Sequence, residues 1–157
     1  MATLNKDLVK LGIAPIGWTN DDMPELGKEN TFQQTISEMA LAGFKGSEVG
    51  SHYPTDKYEL KKALDLRDMV ICNQWFSSFL LTKPYEEVEK EFVKQCDFLH
   101  YVGARVIGAS EQSYSIQGKP QPILEGKYVM NDDEWETLTT GLSKLGKVAK
   151  EMDMTLT

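Results

Sequence analysis

Short apolar runs alternate along the chain with longer stretches in which apolar residues recur every three or four positions. The short runs are rich in Val, Ile and Gly, as expected for buried strands, and the longer stretches have the period of amphipathic helices. Such alternation is typical of parallel strands joined by crossover helices. The sequence therefore predicts an α/β protein with strands at residues 8–18, 44–50, 69–76 and 105–110, and the start of a fifth at residues 154–157.

Four helices are predicted between these strands, each with a recognisable start and one apolar face. The starts are Asn30 with Gln33, Asp56 with Glu59, Pro84 in a first turn, and Asn131 or Asp132. The faces expected to be buried are Ile36, Met39 and Ala40; Leu60, Ala63 and Leu64; Val88, Phe92, Cys96 and Leu99; and Trp135, Leu138, Leu142, Leu145, Ala149 and Met152. This spacing predicts one helix over each crossover.

Four strand and helix units with the start of a fifth strand make about half of a (β/α)₈ barrel. An open α/β sheet is the alternative. No Gly-rich phosphate-binding motif follows the first strand, so the dinucleotide-binding form of an open sheet is disfavoured. We predict that residues 1–157 form a single domain, the first half of a parallel TIM barrel.

Charge and composition narrow the functional classes. The chain has 17 Lys and Arg against 24 Asp and Glu, a net charge of -7 that would repel a phosphate backbone, so nucleic acid is not expected as a partner. The start has no signal peptide and no run reaches membrane-spanning length, which predicts a cytoplasmic protein without membrane contact. Cys72 and Cys96 have no metal or redox spacing and are predicted to be reduced thiols.

Polar and aromatic residues follow the first predicted strand. Active sites of TIM barrels form where the carboxyl ends of the strands converge, so Trp18, Asn20 and Asp21 are predicted substrate contacts. Alternation along the strand would place Trp18 on the face of Gly12, and Pro15 is expected to mark the end of pairing on one side. Packing of Trp18 under a loop, and capping of the next turn by Asn20 or Asp21, remain structural alternatives.

The later strand ends repeat this pattern. Glu48 ends the second strand and is predicted to take part in catalysis, with a structural ion pair as the alternative. Trp75 at the third strand and Gln112 at the fourth are predicted substrate contacts. Glu111 is the first candidate for proton transfer, with anchoring of the following loop as the alternative.

The sequence favours no single role for two further features, a histidine and a long loop. His52 has no partner at metal-ligand spacing and is expected to be a loop residue rather than a base or ligand. A polar loop at residues 111–130 is long for a compact domain, so it is predicted to be functional or part of an interface. Within it, Tyr114 and Tyr128 either cover a bound sugar or pack between subunits.

Three segments carry a resemblance to a known family: "LGIAPIGWTNDDMPELG", "ENTFQQTISEMALAGFKGSEVG" and "ICNQWFSSFLL". They closely resemble the N-terminal half of the inosose dehydratases, which belong to the xylose-isomerase-like barrels. The resemblance implies a lyase that converts 2-keto-myo-inositol (scyllo-inosose) to a trihydroxycyclohexane-1,2-dione in inositol catabolism. It also implies a divalent metal, manganese or cobalt, and an association with glutathione. The metal ligands are unassigned and are expected beyond Thr157, so this chain alone is predicted to be inactive.

Dehydration of a cyclic polyol ketone requires removal of a proton α to the carbonyl and protonation of the departing hydroxyl. Carboxylates can move these protons, and Trp, Asn and Gln can hold the ring. A keto-sugar isomerase or epimerase on the same barrel would use similar proton abstraction. A half-barrel without activity that pairs with another chain is the third alternative, and a homo-oligomer is left open.

Overall fold

The computed structural model of the chain describes residues 8–122 and 124–157 as alternating strands and helices. The strands are β1 (Gly12–Ile13), β2 (Gly46–Glu48), β3 (Val70–Asn73), β4 (Trp75–Ser78), β5 (Val106–Glu111) and β6 (Thr155–Leu156). The helices are α1 (Phe32–Leu41), α2 (Lys57–Asp65), α3 (Tyr85–Tyr101) and α4 (Asp132–Glu151), with a short 3-10 helix at Pro15–Gly17. Each strand pair recorded in the described ranges is parallel, which confirms the predicted α/β class.

No helix in the part of the chain described here combines the length and the apolar character needed to cross a membrane. Contacts divide the chain into two compact units. The first contains the residues up to Gln74 together with Tyr101–Ala104, and the second contains Trp75–His100 and Arg105–Thr157. Each unit has its own three-stranded sheet.

The sheet of the first unit has the order β1-β2-β3. Ile13, Ser47 and Ile71 lie in register on one face, and Ser47 and Ile71 are fully buried. The hydroxyl of Ser47 contacts Tyr53, which in turn contacts Met39 of α1, so this face is the one that the helices cover. The opposite face carries Gly12, Gly46 and the exposed Cys72. In a TIM barrel, the face without helices lines the interior.

The sheet of the second unit has the order β4-β5-β6. Phe76 of β4 packs edge-on against Phe92 of α3, with ring centroids 5.1 Å apart, which identifies the helix-covered face. The predicted face of α3 is buried as expected at Val88, Phe92, Cys96 and Leu99. Apolar residues that recur every three or four positions thus correctly predicted which face of α3 is buried.

Two strand predictions were wrong in extent. The first strand is only Gly12–Ile13, because Pro15 begins a 3-10 helix directly after it, and the expected alternation does not continue to Trp18. Proline has no N–H for a strand ladder but suits the first position of a helical turn. The predicted third strand is interrupted at Gln74, and its two parts, β3 and β4, pair with β2 and β5.

Two helix predictions also need correction. Thr31, and not Asn30, caps α1, and its hydroxyl accepts from the N–H of Gln34. On α4, Trp135 remains 50% exposed, so the predicted apolar face is buried only further along, at Leu138 and Leu145 among others. Helix boundaries predicted from capping residues commonly shift by a position, since adjacent polar residues compete for the same role. The caps predicted at Asp56 and Asn131 are confirmed.

Candidate active site

A carboxylate and an amide meet at the ends of β2 and β3 in the first unit. Glu48 pairs in register with Asn73, with a β-bulge between Ser47 and Glu48 that leaves Cys72 as the extra residue. The amide Nδ2 of Asn73 donates to Oε1 of Glu48 at 2.9 Å. Among the described residues, no partner is recorded for the second carboxylate oxygen. Glu48 is half-buried, so its carboxylate is held on one side and available on the other.

Cys72 lies beside this carboxylate on the open face of the sheet. The two glycines next to it leave room for its side chain: a Cβ on Gly12 would lie 2.9 Å from the Cys72 sulfur, and one on Gly46 would lie 3.3 Å from its Cβ. Although Cys72 is exposed as a whole, its sulfur lies close against Gly12 and Gly46, and this partial burial raises the pKa of the thiol. The nearby charge of Glu48 raises the pKa further. A change of charge at Glu48 is therefore expected to change the pKa of the Cys72 thiol.

The loop after β1 is closed by its own side chains. Oδ1 of Asn20 accepts from the N–H groups of Asp22 at 3.0 Å and Met23 at 2.9 Å, which is the turn-capping alternative that the sequence left open. Gly27 has a φ of 77°, and a Cβ there would lie 1.7 Å from the carbonyl oxygen of Trp18, so the loop requires glycine at this position.

Trp18 and Asp21 make contacts with neighbouring elements of the first unit. The indole N–H of Trp18 donates to Glu38 of α1 at 2.6 Å, and this bond is the main cause that lowers the pKa of the Glu38 carboxyl. Oδ1 of Asp21 accepts from the hydroxyl of Ser51 at 2.6 Å, which ties the loop after β1 to the loop after β2. The polar atoms of both predicted contacts thus hold the local structure.

His52 lies in the loop after β2 and is exposed. Its Nδ1 is 3.2 Å from the carbonyl oxygen of Asn30. Since a carbonyl oxygen only accepts, Nδ1 carries the proton, and in the neutral ring Nε2 has the lone pair. The loop position agrees with the sequence expectation.

Glu111 ends β5 in the second unit, and three donors hold it. Its Oε2 accepts from the hydroxyl of Ser78 at 2.7 Å and the N–H of Leu80 at 3.0 Å, while its Oε1 accepts from the N–H of Ser113 at 2.9 Å. Glu111 is also in register with Ser78, on the face that carries Phe76. This geometry favours the anchoring alternative, and a catalytic role for Glu111 stays a prediction.

The opposite face of β4 and β5 carries a row of side chains that have hydrogen-bond donors. Trp75 is in register with Gly108 and is 59% exposed, and Ser77 is in register with Ser110. The amide of Gln112 donates to the Ser110 hydroxyl at 2.8 Å, so that hydroxyl keeps its own hydrogen. For the Trp75 indole N–H and the Ser77 hydroxyl, the described ranges contain no recorded partner. An aromatic face beside hydroxyl donors is a surface suited to a polyhydroxylated ring.

Sequence reasoning missed Ser77, although the signal was present. In the segment "WFSS", a period of two places the first and third residues on one face of the strand, so Trp75 predicts the orientation of Ser77. The buried hydroxyl of Ser78 points to the other face and bonds Glu111. Exposed tryptophan and serine in alternation with buried phenylalanine and serine therefore mark a strand with one accessible face.

The long loop after β5 brings Tyr114 and Tyr128 together. Their ring centroids are 4.2 Å apart, next to a cavity of about 250 Å³. The hydroxyl of Tyr128 donates to Glu134 at the start of α4, which raises the pKa of Tyr128 to about 12 and lowers that of Glu134. The two ring planes are tilted by 37° and the rings lie in contact, so each ring covers part of the other's surface.

The residues described here do not fit a complete metal site. Within residues 8–122 and 124–157, no group of three His, Cys, Asp or Glu side chains is placed to hold a metal ion. Structural and catalytic metal sites need at least three such protein ligands in most cases.

Solved structures define the class of the fold. A xylose isomerase-like TIM barrel protein from Mycobacterium smegmatis, in complex with magnesium, superposes with a TM-score of 0.68 at 15% identity, over 96% of this chain and 54% of that chain. A probable 3-DHS dehydratase from Bacillus anthracis gives a TM-score of 0.62 at 12% identity, over 94% and 51%. The chain has the fold of about half of a xylose isomerase-like TIM barrel.

The sequence relatives are more specific, although no protein-family profile matches the chain. It is 67% identical over 149 residues to an inosose dehydratase of Clostridium perfringens, covering 94% of this chain and 50% of that protein. It is 64% identical over 152 residues to one of Clostridium beijerinckii, covering 96% and 51%, and 59% identical over 147 residues to one of Bacillus anthracis, covering 93% and 49%. The curated homologues are thus inosose dehydratases, and the chain spans about half their length.

Proposed function

We propose that the protein carrying this sequence dehydrates 2-keto-myo-inositol (scyllo-inosose) to a trihydroxycyclohexane-1,2-dione. The observation that carries the proposal is the identity of 59% to 67% with inosose dehydratases across nearly the whole chain. Identity at this level preserves strand ends and loops as well as the fold. Within each unit, taken by itself, the geometry supports a task for one group of side chains.

Glu48 is proposed as the group that moves a proton. Base catalysis needs a carboxylate with one oxygen that can approach a C–H bond α to the substrate carbonyl. The second oxygen of Glu48 meets this requirement, while Asn73 fixes the first. Loss of the α proton forms an enediolate, and departure of the β hydroxyl with a proton releases water. The enol that remains becomes the 1,2-dione by moving one proton.

Trp75, Ser77 and Ser110 are proposed to hold the hydroxylated ring. The indole offers an apolar face for the ring carbons, and its N–H together with the two hydroxyls can donate to substrate oxygens. Gln112 orients this row through its bond to Ser110. This assignment keeps the predicted contacts Trp75 and Gln112 and adds the two serines.

The other predicted site residues receive supporting tasks. Asn20 and Asp21 are proposed to keep the loop after β1 in place, since their oxygens bond to that loop and to Ser51. Trp18 can still offer its ring face, because only its N–H is used in the bond to Glu38. Glu111 is proposed to anchor the loop after β5 through its three donors.

A divalent ion, manganese or cobalt, is proposed as the cofactor of the whole protein, together with an association with glutathione and a cytoplasmic location. Such an ion would supply positive charge beside a substrate oxygen, and the described residues of this chain contain no group of three ligands that would hold it. Nucleic acid and membranes are not proposed as partners.

The test is incubation of the natural protein carrying this sequence with scyllo-inosose and Mn²⁺. The proposal expects absorbance of the dione to rise and mass spectrometry to show a product lighter by one water. A reaction without protein is the control. An isomeric product of unchanged mass would instead establish a keto-sugar isomerase or epimerase and contradict the proposal.

A further inference from the structure

Two buried hydroxyls in the first unit, those of Tyr53 and Ser47, lie next to the backbone of Glu48. Tyr53 is 5% exposed and Ser47 is fully buried, and their oxygens are 2.7 Å apart. The hydroxyl oxygen of Ser47 is also 2.8 Å from the backbone carbonyl oxygen of Glu48. Buried hydroxyls require partners, so the direction of each hydrogen bond can be derived.

The carbonyl oxygen of Glu48 can only accept, so Ser47 must donate its single hydroxyl hydrogen to it. Ser47 then has only acceptor capacity left for Tyr53. Tyr53 must therefore donate to Ser47, in preference to the more distant sulfur of Met39 at 3.7 Å. The result is one directed chain from the Tyr53 hydroxyl through the Ser47 hydroxyl to the Glu48 carbonyl.

This chain of hydroxyls ends at an irregular point of the sheet. The register shift between Ser47 and Glu48 interrupts the regular pairing of β2 with β3. A β-bulge of this kind redirects a side chain, and bulges are frequent next to active sites. The hydroxyl of Ser47 therefore holds the backbone of Glu48, and the carboxylate of the same residue accepts a hydrogen bond from Asn73.

Tyr53 itself is rigidly placed. Its ring packs edge-on against Phe32 of α1, with centroids 4.7 Å apart, so the hydroxyl cannot swing away without displacing a packed ring. Burial raises the pKa of Tyr53, which keeps the hydroxyl protonated and able to donate. The packing of α1 on the sheet is thus transmitted to the backbone of Glu48.

We propose that Tyr53, acting through Ser47, is a positioning residue for Glu48. The inference rests on the proposed function, because it assumes that Glu48 moves the proton. A structural role alone would require only that the buried hydroxyls are satisfied. Positioning requires in addition that loss of the Tyr53 hydroxyl displaces the Glu48 carboxylate while the fold is retained.

The test uses Tyr53→Phe, which keeps the ring and removes only the hydroxyl. Tyr58→Phe is the matched control, since it removes the same atom from a tyrosine that is 62% exposed. Ser47→Ala should reproduce Tyr53→Phe, because it removes the hydroxyl that links Tyr53 to the backbone of Glu48. A double variant of Ser47→Ala with Tyr53→Phe should lose no more than either single variant, since both break one chain.

Two readouts are measured on the natural protein. The first is kcat and KM for scyllo-inosose, where Tyr53→Phe should lower kcat about tenfold or more with KM little changed, as misplacement of a reacting group predicts. The second is the pKa of Cys72, from the pH dependence of its alkylation by iodoacetamide. It should fall in Tyr53→Phe, because a displaced carboxylate no longer opposes the thiolate.

Both changes together support the proposal. An unchanged kcat overturns it, and so does a lowered kcat with an unchanged pKa of Cys72, since the loss would then not pass through Glu48. If the wild-type protein produces no dione, the proposed function fails, and the fall in the pKa of Cys72 still tests the hydroxyl chain by itself. Equal circular dichroism of all variants shows that each comparison concerns folded protein.

Discussion

At the scale of single residues, Glu48 and Glu111 illustrate how identical side chains at equivalent strand ends acquire different roles. Glu111 accepts from three donors on the helix-covered face, whereas Glu48 accepts from one amide and retains an oxygen without a recorded partner in the described ranges. A carboxylate used as a structural acceptor resists movement, and one with a spare oxygen can take a proton. Each assignment leads to its own prediction.

Glu48→Gln should lower the pKa of the Cys72 thiol. The negative charge of Glu48 disfavours the thiolate, so removing it favours ionisation, while burial continues to hold the pKa above its ordinary value. The measurement is the pH dependence of Cys72 alkylation, with Glu29→Gln as the control at an exposed carboxylate. Cys96 should not contribute to this profile, since it is fully buried and burial raises its pKa to about 11. An unchanged Cys72 profile in Glu48→Gln would show that the carboxylate does not face the thiol.

Glu111→Ala should destabilise the chain by about 1–3 kcal/mol, since it leaves the buried Ser78 hydroxyl and the Leu80 N–H without their acceptor. Glu111→Gln should cost less, because its amide oxygen can still accept. Urea denaturation of both variants measures the change in the free energy of unfolding. Equal stability of Glu111→Ala and wild type would rule out anchoring and return Glu111 to the candidates for proton transfer.

At the scale of elements, the start of α4 is the best-defined feature that the sequence predicted. Asn131 caps the helix by accepting from the N–H of Glu134, and the Glu134 carboxylate accepts in return from the N–H of Asn131. Asn131→Ala should lower the free energy of unfolding by ~1 kcal/mol. Ser143→Ala, at an exposed position within the same helix, is the control and should change it by less. Denaturation curves that coincide for Asn131→Ala and wild type would contradict this role of the cap.

Helix faces and caps were predictable because their signals are local. The buried face of α3 and the caps at Asp56 and Asn131 follow from residues within one or two turns of each other. The extent of β1 was not predictable in this way, since Pro15 is compatible with a strand end or with a helical turn. The break at Gln74 is set by pairing with two different strands, and such pairing is not encoded within the segment.

For the site residues too, the sequence predicted what depends on local signals but not what depends on strand pairing. Glu48 and Glu111 were predicted at the carboxyl ends of strands from the order of elements, and the structure places both there. Trp75 was predicted at such an end as well, but it is the first residue of β4, because the break at Gln74 begins a new strand. The face that each side chain occupies depends on the register with the neighbouring strand. The sequence alone therefore did not show that Glu111 and Trp75 lie on opposite faces of the sheet. The bulge that pairs Glu48 with Asn73 likewise arises between strands.

At the scale of the whole molecule, this chain matches about half the length of its curated relatives, and the described residues contain no three-member cluster of metal ligands. The 157-residue chain alone should therefore bind Mn²⁺ only weakly, with a Kd above about 1 mM, and should not turn over scyllo-inosose. Isothermal titration and a dione assay on the purified chain measure both. Tight stoichiometric binding, or turnover by this chain, would show that its own residues complete the metal site.

The most direct test of the central claim compares Glu48→Gln with wild type in the natural protein, with dione formation from scyllo-inosose as the readout. If Glu48 moves the proton, kcat should fall by about 10²- to 10⁴-fold while KM changes little, because the amide keeps the contact with Asn73 but cannot accept a proton. A Glu48→Gln protein with the kcat of the wild type would contradict the account.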